Sequence, residues 1–122
     1  MAGRNVYMPQ IHLTAEIKKS LFKIYNDVNK SIYGFGTNKA KIYAADNLII
    51  FSVHHNRVPC LVALEEDNRA LKELVDSAIM KVFKERLAQK IEELLQMHPT
   101  AVLRDYAYQR QIAITVVAFE PE

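Results

Sequence analysis

The chain has 122 residues, half of them apolar and a quarter charged, with a formal net charge of +2. That length suits one domain with a real core, and so small a charge gives no electrostatic footprint for nucleic acid. The lone Cys60 excludes an intrachain disulfide and reads as a small apolar residue of a reducing compartment.

Residues 1–12 read as a flexible arm and residues 13–122 as a single α+β domain. The start lacks the apolar run and cleavage site of a signal peptide. No stretch approaches the roughly 20 apolar residues that cross a bilayer. The expectation is a cytoplasmic protein, peripheral to a membrane only through a protein partner. Residues 1–33 carry five basic and two acidic side chains, and residues 65–96 carry six basic and eight acidic. The positive excess therefore sits in the first helix and the hairpin that follows it.

Thr14 suits an N-cap, with Glu16 near the positive end of the helix dipole. Ile17, Leu21, Ile24, Val28 and Ile32 then recur every three or four residues, the stripe of an amphipathic helix. Gly34 can take the left-handed conformation that ends it. Residues 39–45 alternate, with Ala40, Ile42 and Ala44 on one face and Lys39, Lys41 and Tyr43 on the other. Asp46-Asn47 makes a tight turn, and Leu48 to Val53 return as a strand so apolar that both of its faces should be covered.

Pro59 starts a short helix over residues 58–64. Asp67 or Asn68 can cap a second helix that runs to about Gln96, stopped by Pro99. At about 45 Å this helix outruns a small sheet. Its apolar face continues through Leu87, Ile91 and Leu94, so these three are the expected contacts of a homodimer. Residues 101–107 and 111–119 form a second strand pair around Tyr108-Gln109-Arg110. The order α-β-β-α-α-β-β predicts a four-stranded antiparallel sheet with helices packed on one face.

Several of these strings resemble a small bacterial family, the MpsC-like proteins, named after a sodium-translocating, membrane-potential-generating system. Gly34-Phe35-Gly36 matches the family's G-x-G-P turn, with Thr37 in place of proline. Asp46-Asn47-Leu48-Ile49 matches its D-x-[IL]-[IV] turn. Pro59 matches the proline of its L-T-P-x-E helix start, with Arg57-Val58 before it and Leu61 in place of the glutamate. Val116-Val117-Ala118-Phe119 is similar to its closing strand. The similarity covers residues 13–119. It implies an accessory or regulatory role beside an ion-transport or membrane-potential system and supplies no catalytic residue.

The residues themselves point to binding before catalysis. His54-His55 are adjacent, so on a strand they face opposite sides and cannot share one metal ion. The GFGTNK segment follows a helix and lacks the spacing of a phosphate loop, so no cofactor is expected. Phe35, Lys39, Lys41, His54, His55 and Arg57 make the candidate partner surface, an apolar anchor among basic groups that would steer an acidic partner. Two alternatives remain open. One is a small enzyme or ligand-binding protein with a pocket near His54, His55 and Cys60. The other is a weak nucleic-acid binder, with Tyr43, Tyr106 and Tyr108 forming a stacking face beside Lys39, Lys41, Arg104 and Arg110.

Overall fold

The computed structural model describes residues 10–37 and 39–120. The chain is α+β, with helix α1 (Ala15–Tyr33), strands β1 (Ala40–Ala45) and β2 (Leu48–His54), helices α2 (Pro59–Asp67) and α3 (Arg69–Leu95), and strands β3 (Pro99–Ala107) and β4 (Ile112–Phe119). The four strands form one antiparallel sheet in the order β1-β2-β4-β3. Each hairpin pairs with itself, and β2 and β4 then join at the centre.

The local signals work as their chemistry requires. Thr14 Oγ1 accepts from the Ile17 N–H at 3.1 Å, and Gly34 closes α1 at φ 88°. Pro59 occupies the first turn of α2, and Asn68 caps α3 by accepting from the Leu71 N–H at 3.0 Å. Gln96 ends α3 in a left-handed conformation. Of the expected arm, residues 1–9 lie outside the described residues. The Ile11 N–H donates to the Asp46 carbonyl at 3.1 Å, and Ile11 and Leu13 pack against the core.

α1 and α3 pack together over one face of the sheet. Leu21, Tyr25 and Val28 from α1 and Phe83, Leu87 and Ile91 from α3 close on Ile49, Phe51, Val53, Val117 and Phe119. Burial of each such large side chain contributes roughly 2 kcal/mol.

This arrangement corrects one expectation. Leu87 and Ile91 are fully enclosed by the chain's own sheet and α1, so they cannot meet a second copy; Leu94 alone of that trio is exposed, at 37 %. The reason is the short link to β3, which holds the C-terminal half of α3 against the sheet. The N-terminal half is the part that overhangs. It packs on α2, touches the sheet and its β3–β4 turn through Met80 and Lys72, and leaves Leu71, Leu74 and Val82 exposed.

Gly36 is required for closeness of approach. A Cβ there would sit 2.5 Å from Asn26 Oδ1, the atom that accepts from the Thr37 N–H at 2.6 Å. Gly36→Ala must displace Asn26 and break that bond, at a cost of about 1–2 kcal/mol. Urea denaturation of Gly36→Ala beside Asn26→Ala checks this, because the two losses should not add.

Candidate ligand pocket and open sheet face

Strand alternation sorts the sheet into two faces of different character. Ile42, Phe51, Thr115 and Arg104 are neighbours across the four strands on the inner face, beneath the helices. Tyr43, Ile50, Val116 and Leu103 form the corresponding row outside. A parallel outer row is Ala45, Leu48, Ala118 and Ala101, and a third is Lys41, Ser52, Ile114 and Asp105. None of these outer residues is buried, and Leu103 is 64 % exposed. The centre of this open face is apolar, and its polar groups lie toward the His54 end.

The inner face ends in a polar pocket. His55 follows β2 and is 4 % exposed. Its N–H donates to the Gln111 carbonyl at 2.8 Å, and its own carbonyl accepts from the Tyr106 hydroxyl at 2.7 Å. Its ring sits edge-on to Tyr33 and Tyr106, with centroids at 5.0 and 5.5 Å. Nε2 lies 2.8 Å from Asn29 Oδ1, and Nδ1 lies 2.9 Å from the Asn56 carbonyl. Asn29 Nδ2 donates to the Phe35 carbonyl at 2.9 Å, which turns Oδ1 toward the histidine. Neutral His55 thus has one N–H for two acceptors.

Burial, reinforced by the Arg104 charge, lowers the His55 pKa below 6.5 and outweighs the pull of the Asn56 carbonyl toward the protonated ring. An unfolded histidine takes up its proton first as pH falls. The contribution of His55 to stability is therefore complete above 6.5 and is lost as pH falls from there through its depressed folded pKa. Denaturation midpoints between pH 7.5 and 5 should drop in the native chain and drop less steeply in His55→Gln.

Arg104 reaches from β3 under α3. Its guanidinium lies 4.3 Å from the Phe83 ring centroid, and its two terminal nitrogens donate to Met80 Sδ at 3.6 Å and Tyr25 Oη at 3.4 Å. Its Nε is enclosed without a hydrogen-bond partner. Among the described residues no carboxylate lies within ion-pair distance of it. Beside it a cavity of about 280 Å³ opens between α2, the start of α3 and the β3–β4 end of the sheet. Leu61 and Val62 from α2, Met80 from α3, Tyr33 and Tyr106 supply much of its wall.

At the far side, Lys72 bonds Asp76 at 2.6 Å and stands 3.8 Å from Glu65. The Asp76 hydrogen bond leads the causes that raise the Lys72 pKa. Arg57 stacks 4.2 Å over the Tyr108 ring and donates to the Tyr108 carbonyl at the mouth. Burial also raises the Tyr33 hydroxyl pKa, opposed by Arg104.

The expected partner surface is divided by this geometry. Lys39 and His54 meet through a backbone bond of 3.0 Å at the open end of the first hairpin, and both side chains are exposed. Lys41 and His54 project from the outer face. His55 is sequestered, and half-buried Phe35 packs near its ring at 6.2 Å. The cavity takes in His55 and Arg57 but neither His54 nor Cys60, which is exposed on α2. The reason for the first is strand parity, which sends adjacent histidines to opposite sides.

The same parity breaks up the expected stacking face. Tyr43 lies outside, Tyr106 lies inside under the helices, and Tyr108 belongs to the turn. Among the described residues no three His, Cys, Asp or Glu side chains converge to hold a metal ion, and no helix is long and apolar enough to cross a membrane. Arg104 was legible as a site residue from one signal. It sits between Val102 and Tyr106 in a two-residue repeat, a cation on an otherwise core-facing row.

Comparison of the chain with protein-family models, with curated proteins and with solved structures gives no match.

Proposed function

We propose that the protein is a non-enzymatic interaction module that works as a homodimer, two copies joined face to face through their outer sheet surfaces. An apolar sheet face that no other described element covers carries this reading. Four strands, paired over the six residues of β1, present an outer face roughly 19 Å by 20 Å, of which the rows through Tyr43 and Ala45 are apolar. An apolar centre with a polar margin is the anatomy of a protein–protein interface.

Charge favours a second copy as the occupant. A twofold axis running along the strands between β2 and β4 lays β1 over β3 of the other copy. Lys41 and Asp105, at opposite ends of one cross-strand row, then face each other twice. His54 and Lys39 stay outside that apolar centre as a basic margin for an acidic partner. By the resemblance to the MpsC-like family, that partner belongs to an ion-transport or membrane-potential system, and the dimer serves it as an accessory subunit.

Light scattering across a concentration series tests the dimer. Lys41→Asp and Asp105→Lys should each weaken association, and the two together should restore it. A monomer at every concentration overturns the reading. A dimer untouched by either change but broken by Leu74→Asp overturns it too, moving the interface to the overhanging half of α3.

A further inference from the structure

We propose that the cavity beside Arg104 binds a small monocarboxylate with an apolar body, its carboxylate held by the Arg104 guanidinium. This does not depend on the homodimer, since Arg104 and the apolar walls of the cavity lie on the inner side of the sheet and only Asp105 at its edge is shared with the outer face.

The guanidinium is the reason to expect an anion. It is a permanent charge on a half-buried side chain, with its Nε wholly enclosed. Its partners are a thioether at 3.6 Å, neutral tyrosine hydroxyls (Tyr25 at 3.4 Å, with Tyr33 close by) and an aromatic face, and its Nε has none. Buried cations are ordinarily matched by a carboxylate. Glu65, Asp76 and Asp105 line the same cavity, yet the first two turn toward Lys72, Asp105 accepts from the Tyr106 N–H, and none of the three reaches Arg104. A ligand carboxylate entering from the cavity meets a planar donor pair suited to two parallel hydrogen bonds.

The walls select the rest of the ligand. Leu61, Val62 and Met80 offer apolar surface, and Tyr33 and Tyr106 add aromatic surface. The volume lies just under the usual range of ligand sites, roughly 300–1,000 Å³, so the body must be short. The three carboxylates of the lining, Glu65, Asp76 and Asp105, disfavour a multiply charged group such as phosphate. One negative charge at one end and an uncharged, compact body at the other satisfy all three constraints. α2 forms the outer wall. It packs on α3 and buries no side chain of its own, so it can yield for entry without opening the core.

The test is calorimetric titration of the full chain with butyrate, phenylacetate and 3-phenylpropionate, with phenylacetamide and inorganic phosphate as controls. The expected result is saturable one-to-one binding of at least one carboxylate. Phenylacetamide and phosphate should bind at least about tenfold more weakly than that acid, and Arg104→Gln should lose about tenfold or more. Should Arg104→Gln fail to fold, Leu61→Trp, which fills the cavity from the half-buried wall of α2, must abolish the same binding. The proposal is overturned if no carboxylate of the series binds, if the amide or phosphate binds as well as the acid, or if binding survives the tryptophan.

Discussion

Val116→Asp is expected to leave the protein monomeric at concentrations where the unaltered chain forms the proposed dimer. Val116 lies near the middle of the outer face, between Ile50 and Leu103 in the central row. In the proposed pairing it stands over Ile50 of the other copy and close to the twofold axis. One substitution thus places two carboxylates in a desolvated apolar centre, where neither finds a partner. Association should weaken by at least roughly 100-fold, about 2.7 kcal/mol. The single chain should keep its fold, because Val116 is only half-buried there. Val116→Thr separates shape from polarity. It keeps the branched outline, adds one hydroxyl, and should fall between the two. Sedimentation velocity gives the masses and circular dichroism the fold. Dimerisation of Val116→Asp with unchanged affinity would remove the sheet face from consideration.

Phe83→Ala should cost about 3–5 kcal/mol of folding stability, the usual penalty for emptying a buried aromatic site. Phe83 is fully enclosed where α3 crosses α1 and the sheet. It meets Tyr25 edge-on at 5.3 Å and lies 6.4 Å from Tyr33. Its ring also carries the Arg104 guanidinium, so alanine removes packing and leaves a half-buried cation with one partner fewer. Against a total of roughly 5–15 kcal/mol, that is a large fraction. Leu74→Ala on the same helix supplies the contrast. Leu74 is 69 % exposed, and its loss should stay within about 0.5 kcal/mol. Equilibrium urea unfolding of both variants measures the difference. Equal costs would mean that the two halves of α3 are not packed as differently as their burial implies.

Much of the fold was legible because local chemistry and hydrophobic period agree along the chain. The stripe from Ile17 to Ile32, the Thr14 cap and the Gly34 stop bound α1 within a residue. Asp46-Asn47 marks the hairpin, and the element order matches throughout. The boundaries that moved are modest. β3 starts at Pro99, two residues before the alternation becomes regular, and α2 runs to Asp67. Strand order was not legible, since nothing local says that β2 pairs with β4.

The site was less legible than the fold. His55 and Arg57 were singled out, and both reach the pocket. His54 and Cys60 do not, because strand parity and helix orientation act on each residue separately while sequence proximity treats them as a group. Leu87 and Ile91 illustrate the same limit. Period places them on the apolar side of α3, but only the crossing of α1 and the sheet decides which half of that side is enclosed. Arg104 carries the pocket through contacts from Tyr25, Met80 and Phe83, distant in sequence and brought together only by the fold.

The central pairing of β2 with β4 also sets the order in which the chain can assemble. Each hairpin closes over a short turn and can form within microseconds. Joining them brings His54 beside Ile112, across roughly 60 residues of intervening chain, at a loop-closure cost of about 3.6 kcal/mol. α3 lies within that interval, so its formation shortens the gap before the strands meet. The docking of the two hairpins is therefore the slow, concerted step, and its transition state should contain β2, β4 and the Phe83–Ile91 segment together. On the ribosome the first hairpin emerges after α1 but well before β4, so the edge of β2 that pairs with β4 stays open until the last strand is made. That interval is when this protein is most exposed to aggregation and to chaperone capture.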